Sequence, residues 1–402
     1  MAPQPPLDQW IDRVTSHFPS SSRRQATVLA LWSFGMVLAR SCALTAVAVA
    51  LAPLLSQKTA TLRQRLREWS KDAAAKRGRC RTQIDPTCCF ASLLTWITAD
   101  WPHDRLALAL DATTLADRFT VLAVSVVSRG CAVPVAWTVL RGHAPEAWNP
   151  HWRRMLGLLR PHVPAAWTVV VLSDRGLESK TLFEAIVALD WHPLMRVKAV
   201  GHFRPAGWRR FVPMTRFARG VGRRWRGRGE ADKRATARLC CTSLACWEPG
   251  HEHAWLLLTD LPPQAAQSAW YAFRSWIEQG FKVIKSAGWQ WQQTRMTDPV
   301  RAERQWLAIA VATLWLVQVG GAAESAVTQE TLPAVTTGGG SAGRAVRLHR
   351  IFRRGLAAVL AALVLGQSLP HGRFLPEEWP DAVQRDDAWT EDSINQSPYL
   401  PQ

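Results

Sequence analysis

The sequence predicts an α/β fold: a mixed sheet flanked by helices, preceded by a helical segment and broken by a β-rich insertion. Three observations predict it. Hydrophobic spacing is helical over residues 1–100 and then shortens into apolar runs of strand length. Two of those runs, Leu106–Asp111 and Trp167–Ser173, are apolar almost throughout, as strands buried on both faces are. After the first run, β-rich stretches give way to alternating helical and strand-like spacing, the pattern of a sheet with crossover helices.

The N-terminal segment comes first. Ser20, Ser21 and Ser22 can cap a helix over Gln25–Ala39, and Ser41 can cap another to Leu55. A basic helix spans Ala60–Lys76, and a further one runs from Asp85 to Asp100. Residues 1–100 therefore read as a helical domain, either a small DNA-binding bundle of the helix-turn-helix kind or a cap packed on the next domain. Leu106–Asp111 is a buried strand ending on an acid. Phe119–Ser128 and Ala132–Arg141 flank Arg129-Gly130 and read as a hairpin. Pro145–Leu159 has helical spacing. Trp167–Ser173 is a strand that runs into Asp174, Lys180–Leu189 a helix and Pro193–Val200 a short strand. Three meandering strands, a helical crossover and a central strand follow the order of the ribonuclease-H-like fold. In that order the core takes residues 101–199 and 263–330, and residues 200–262 form the insertion. Acids at strand ends lie on the rim of the sheet, where a ligand can reach them.

The insertion is strongly basic. Residues 201–238 hold 12 Lys or Arg against Glu230 and Asp232. Arg226-Gly227-Arg228-Gly229 suggests a turn or flexible tip, flanked by strand-like Ala237–Thr242 and Ala254–Thr259. The insertion reads as a β-rich piece with a basic loop beside the active site, or as a solvated loop with no fixed contact. Within the core, Arg295–Gly320 is a long apolar helix; beyond it come Thr336–Gly343, a linker by composition, Arg344–Leu365, a helix, and an acidic, Pro-rich tail from Arg373.

The whole chain of 402 residues carries 49 Lys plus Arg against 31 Asp plus Glu, a net charge of +18. That balance points to a polyanionic partner, nucleic acid before membrane. The apolar runs Cys42–Leu55 and Leu356–Leu365 are too short to span a bilayer, and Leu307–Ala323 fits a buried core helix better than a span. The N-terminus lacks the basic and apolar regions of a secretory signal, so cytoplasmic, reduced cysteines are expected. Cys240, Cys241, Cys246, His251 and His253 lie close in sequence but lack Cys-x-x-Cys spacing, so thiols are expected there rather than zinc.

The stretch Trp270–Gly288 reads as one helix. Trp270, Phe273, Ile277, Phe281 and Ile284 mark its buried face. At about 100° per residue, Tyr271, Arg274, Glu278 and Lys285 fall within roughly 60° of one another, in a stripe beside that face. A carboxylate flanked by two cations and a phenol is thus aligned on one side.

This string resembles the Tyr-Arg-Glu-Lys signature of IS-four-like bacterial insertion-sequence transposases. Asp111-Ala-Thr-Thr-Leu resembles the first acidic motif of that family, and Ser173-Asp174-Arg175-Gly176 the second. The resemblance covers about residues 101–320. It implies a DDE transposase with Asp111, Asp174 and Glu278 as catalytic and metal-binding residues. Two Mg²⁺ ions, or Mn²⁺ in their place, would activate the attacking oxygen and stabilise the leaving one. Tyr271, Arg274 and Lys285 would bind phosphates near the transposon end, and Arg223, Arg224, Arg226 and Arg228 would add DNA contacts from the insertion. Trp247 and Trp255 are candidates to stack a flipped base. The implied activity is cut-and-paste transposition, cleaving at terminal inverted repeats and joining to target DNA. It implies a homodimer on DNA, working at the bacterial nucleoid. The alternatives are a nuclease or resolvase of the same fold, and a silent DNA-binding relative.

Overall fold

The structure, a computed structural model, describes residues 5–76, 81–128, 130–142, 147–330, 341–376 and 378–380. Arg129 of the expected turn, Pro145 and Glu146 of an expected helix start, Cys80, the expected linker over 336–340 and the tail from 381 lie outside the described residues.

In chain order the helices α1 (Pro5–His17), α2 (Arg23–Ala39), α3 (Leu44–Leu55), α4 (Thr59–Trp69) and α5 (Thr87–Thr98) come first. Strands β1 (Arg105–Leu115), β2 (Phe119–Ser128) and β3 (Cys131–Arg141) precede α6 (Asn149–Leu159), β4 (Thr168–Ser173), α7 (Lys180–Val187) and β5 (His192–Arg196). Strands β6 (His202–Pro205), β7 (Val212–Pro213), β8 (Arg224–Ala231), β9 (Leu239–Cys246) and β10 (Trp255–Thr259) follow. Helices α8 (Ser275–Lys282), α9 (Pro299–Glu330) and α10 (Ser341–Val364) complete the order. Two compact units divide these elements. One takes Met1–His103, Ala112–Pro164 and Trp276–Glu377; the other takes Asp104–Asp111, Ala165–Ser275 and Glu378–Gln402.

The first unit is built on α9. Every residue from Arg304 to Gly321 is buried, so this helix is apolar on all sides because core surrounds it. Its length and composition alone would let Pro299–Ala323 cross a membrane, but most of that stretch is buried inside the protein. Trp315 stacks on Trp10 of α1 at 4.0 Å, and the Trp10 indole N–H donates to Ser33 of α2. Arg304 is buried without strain on its charge: it donates to the carbonyls of Ser70 and Ile84 and to Asp72 at 2.7 Å. The N-terminal helices thus share their core with α9. Ser22 caps α2 in a capping box with Gln25, as its position predicts. The expected hairpin is β2 against β3, antiparallel throughout, and Trp137 of β3 donates to the Glu303 carbonyl of α9. Glycines 320 and 355 let α9 and α10 touch through their backbones; a Cβ at Gly320 would lie 1.9 Å from the Ile351 carbonyl.

The second unit holds a mixed sheet in the order β1-β4-β5-β10-β9-β8-β6-β7. β1, β4 and β5 are parallel, and β10 turns the sheet antiparallel through β9, β8 and β6. The strands of the basic segment therefore continue this sheet. The expected flexible tip at Arg226-Gly227-Arg228-Gly229 is instead the middle of β8. The glycines are there for close packing. A Cβ at Gly227 would meet the Trp225 ring at 2.6 Å, and one at Gly229 would lie 2.2 Å from the Arg204 carbonyl. Trp225 stacks on Phe217 at 4.0 Å and is a core residue of this segment.

Candidate active site

Strand register brings two acids to one edge of the sheet. Leu110 of β1 stands opposite Ser173 of β4, and Ser173 opposite Met195 of β5. The next residues on the three parallel strands are Asp111, Asp174 and Arg196. The carboxyl edge of parallel strands is where α/β sheets present ligand-binding groups. β1 does not stop at Asp111, as the sequence led us to expect, but continues to Leu115. Asp-Ala-Thr-Thr reads as a turn by composition. Thr113 and Leu115 are nonetheless buried in alternation, which is strand behaviour. It is the pairing with β4 that ends before Asp111.

The second contribution comes from the segment after residue 267. One continuous α-helix was expected over Trp270–Gly288. The backbone instead winds as a 3₁₀-helix over Ser268–Arg274, as α8 over Ser275–Lys282 and as a π-helix over Val283–Ala287. The buried face is as predicted: Trp270, Phe273, Ile277, Phe281 and Ile284 are all in the core. The change of winding matters for the polar stripe. In a 3₁₀-helix residues i and i+3 eclipse each other, so Tyr271 and Arg274 line up and reach the same carboxylate.

Arg274 is the centre of this cluster. Its side chain is 7% exposed, and its Nη2 lies 3.0 Å from Asp111 Oδ2 and 3.6 Å from Asp174 Oδ2. Those two distances from one nitrogen limit the separation of the two oxygens to their sum, about 6.6 Å. A shared guanidinium offsets the repulsion of two carboxylates this close. Tyr271 donates its hydroxyl to Asp174 Oδ1 over 3.4 Å, a long contact, while the Arg175 backbone N–H donates to the same oxygen at 2.7 Å. Burial, reinforced by the Asp174 charge, pushes the Tyr271 phenol far above its ordinary value, against the opposing pull of Arg274 and Arg196. Tyr271 therefore stays protonated and remains a donor. Its ring packs edge-on against Trp255 at 5.3 Å.

Arg196 is a residue at this edge that sequence reasoning did not single out. It hydrogen-bonds Tyr271 and follows Met195 as Asp174 follows Ser173. Its signal was present: an arginine closes the apolar run Pro193–Met195, as an aspartate closes the two neighbouring strands' paired stretches.

The remaining candidates are placed as follows. Glu278 is exposed in the first turn of α8, and Lys285 is half-buried in the π-helix; both belong to the first unit, whereas Asp111, Asp174, Tyr271 and Arg274 belong to the second. Among the described residues, no three His, Cys, Asp or Glu side chains form a group that could hold a metal ion. The described cysteines carry free thiols. Along β8, Arg224, Arg226 and Arg228 share one face by strand alternation. Arg224 pairs with Glu248, and Arg226 and Arg228 donate to the carbonyls of Ala266 and Asp260 at 3.3 and 2.9 Å. Arg223 is exposed just before that strand. Trp255 is buried in β10, and half-buried Trp247 donates to the His251 carbonyl at 2.9 Å.

The donor set at the sheet edge suits a hard divalent ion. Mg²⁺ and Mn²⁺ prefer carboxylate oxygens and water. Asp111 and Asp174 supply such oxygens, and they already share one cation, the Arg274 guanidinium.

Two acids joined by one guanidinium on a sheet edge mark a candidate site, and comparisons with known proteins bear on its class. Residues 134–315 match the family model described as the transposase DDE domain, which supports a DDE transposase. The matched stretch takes in Asp174, Arg196, Tyr271, Arg274 and Glu278, and begins after Asp111. Among solved structures the chain is similar to a piggyBac transposase synaptic complex with hairpin DNA, at 9% identity, a TM-score of 0.35 and coverage of 97% of this chain and 85% of that one. No curated protein matches.

Proposed function

We propose that this protein is a metal-dependent DDE transposase of the IS-four-like kind, built on a ribonuclease-H-like core, which cuts DNA at transposon ends and joins the freed 3′-OH to target DNA. The observation that carries the reading is the pair Asp111 and Asp174, on neighbouring parallel strands and joined by buried Arg274. The match to the transposase DDE domain supports it independently.

In this reading Asp111 and Asp174 hold the divalent ions, and Glu278 is the third acid. Bound Mg²⁺ or Mn²⁺ supplies charge neutralisation at phosphorus and a more acidic attacking water or hydroxyl. The chain's own groups do the rest. Arg274 keeps two carboxylates together that would otherwise repel each other, and its guanidinium would also meet a DNA phosphate brought to them. Tyr271, protonated at neutral pH, donates to Asp174 or to a phosphate oxygen. Lys285 and Arg196 add positive charge for the strand being cut, and Arg223, Arg224, Arg226 and Arg228 form a basic row that follows the DNA backbone. Trp247 or Trp255 stacks a base flipped at the transposon end. The protein works as a dimer on paired ends, at the nucleoid in a bacterial cytoplasm.

The test is cleavage of a duplex carrying the terminal inverted repeats, with Mg²⁺. Asp111→Ala abolishes cleavage and leaves DNA binding intact; unchanged cleavage removes the site. A second reading, a catalytically silent DNA-binding relative, is favoured by one observation: the described residues contain no gathered three-acid group. Wild-type protein that binds the repeats and never cuts them would establish that reading. Cutting without joining would indicate a nuclease.

A further inference from the structure

A cavity of about 170 Å³ lies within the first unit, lined by none of the acidic-site residues. Its polar walls are Arg13 and His17 of α1, Asp100 after α5, Gln318 of α9 and Arg373 after α10. Four separate stretches of chain converge there, so the cavity is a product of tertiary packing.

Its chemistry is that of an anion site. Arg13 is half-buried, and its guanidinium bonds His371 Nδ1; it has no acidic partner among the described residues. Arg373 is exposed and likewise has no acidic partner among them. Gln318 is 4% exposed, lines the cavity, and has no hydrogen-bond partner among the described residues. Its carboxamide is therefore available to donate to a ligand in the cavity. His17 stacks on Trp96 at 4.1 Å and directs Nδ1 to the Arg13 carbonyl at 2.9 Å, which leaves Nε2 as its remaining polar atom. Asp100 is exposed and contributes one negative charge. Two guanidinium groups against one carboxylate leave the lining at +1 with His17 neutral, the complement of a single phosphodiester charge. Burial lowers the His17 value, consistent with a neutral ring.

We propose that this cavity binds a phosphate group, with Arg13 and Arg373 as its charged clamps and Gln318 as its buried donor. The phosphate is either one of the DNA backbone, engaged by the helical unit at a point distinct from the acidic site, or a free phosphate. The DNA alternative rests on the proposed function; the free-phosphate alternative does not, and neither uses Asp111.

The full-length protein is tested with two probes, inorganic phosphate and a duplex of about thirty base pairs. The variants are Arg373→Gln, at an exposed position that does not threaten folding, and Gln318→Glu, which keeps the side-chain shape and adds a repelling charge. If DNA supplies the phosphate, both variants weaken duplex binding about tenfold, in line with the loss of one charge-assisted contact. Arg373→Gln then also lowers the slope of log K against log salt by about one. If free phosphate is the ligand, millimolar inorganic phosphate raises the Tm of the wild type and of neither variant, and duplex affinity is unchanged. The proposal is overturned if Gln318→Glu folds with an unchanged midpoint and both probes bind as to wild type. It is also overturned if only Arg373→Gln weakens duplex binding, since that marks a surface charge alone. Should Gln318→Glu not fold, Gln318→Met, which removes the amide donor without adding a charge, replaces it and is read by the same outcomes.

Discussion

Arg274→Ala is the most informative change at the acidic site, because it removes a guanidinium that Asp111 and Asp174 share. Their nearer oxygens are at most about 6.6 Å apart. At an effective dielectric of about 20, two unit negative charges at that spacing repel by roughly 2.5 kcal/mol. Asp174 is 37% exposed, so solvent screening reduces this to about 1–2 kcal/mol. The lost guanidinium contacts to Asp111, which is 19% exposed, add a similar amount. The variant is therefore expected to lose about 2–4 kcal/mol in urea unfolding without added metal. A divalent ion should replace the missing charge. Mg²⁺ at about a hundredfold above its dissociation constant returns roughly 2.7 kcal/mol, so titrating Mg²⁺ should restore much of the midpoint in Arg274→Ala and shift the wild type less. An Arg274→Ala protein as stable as wild type would refute the charge argument. A variant destabilised as expected yet indifferent to Mg²⁺ would refute the cation site.

Three further changes have defined outcomes. Tyr271→Phe removes a long hydrogen bond to Asp174, so it should cost under about 1 kcal/mol of stability. The chain has two tyrosines, and ultraviolet titration of the wild type should show one ionising well above the other; Tyr271→Phe should delete the later phase. Because the folded value of Tyr271 is raised, its contribution to stability is present below about pH 10 and lost as pH rises beyond it. Glu303 on α9 is pushed up to about 7, first by burial and then by Asp85, against Arg154 and Arg304. Its folded value is also raised, so the associated stability is full below about pH 4.3 and lost as pH rises through about 7. Glu303→Gln should remove that dependence and be more stable than wild type at pH 8, by on the order of 2 kcal/mol in urea unfolding, with the gap closing near pH 4. Gly229→Ala places a Cβ 2.2 Å from the Arg204 carbonyl in the β6–β8 pair and should cost about 2–3 kcal/mol by the same assay.

Much of this molecule was legible before its structure. Apolar runs of strand length gave β4 almost to the residue, and the hairpin of β2 and β3 followed from two β-rich stretches around Arg129-Gly130. The largely apolar Leu307–Ala323 read correctly as core. The acid pair was legible because each aspartate follows a buried run, and parallel register then makes them neighbours. What was not legible has physical causes. Winding is invisible to periodicity: Trp270 to Ile284 keep one buried face whether the backbone is 3₁₀, α or π, so a single α-helix fitted the pattern equally well. Arg-Gly-Arg-Gly mimics a turn by composition, whereas in β8 its glycines answer to Trp225, Phe203 and the Arg204 carbonyl, neighbours that only tertiary structure supplies. Asp-Ala-Thr-Thr looked like a strand end because polar residues in an extended stretch resemble a loop until their burial is known. Arg196 was overlooked because its partner Tyr271 is 75 residues away in sequence.

Manganese binding to the full-length protein on duplex DNA, followed by electron paramagnetic resonance, tests the acidic site most directly. Asp111→Asn and Asp174→Asn should each weaken Mn²⁺ binding by at least about tenfold, the low end for loss of a metal ligand, and Glu278→Gln should weaken it as well. A double variant lacking both aspartate charges that still bound Mn²⁺ as tightly as wild type would contradict the account.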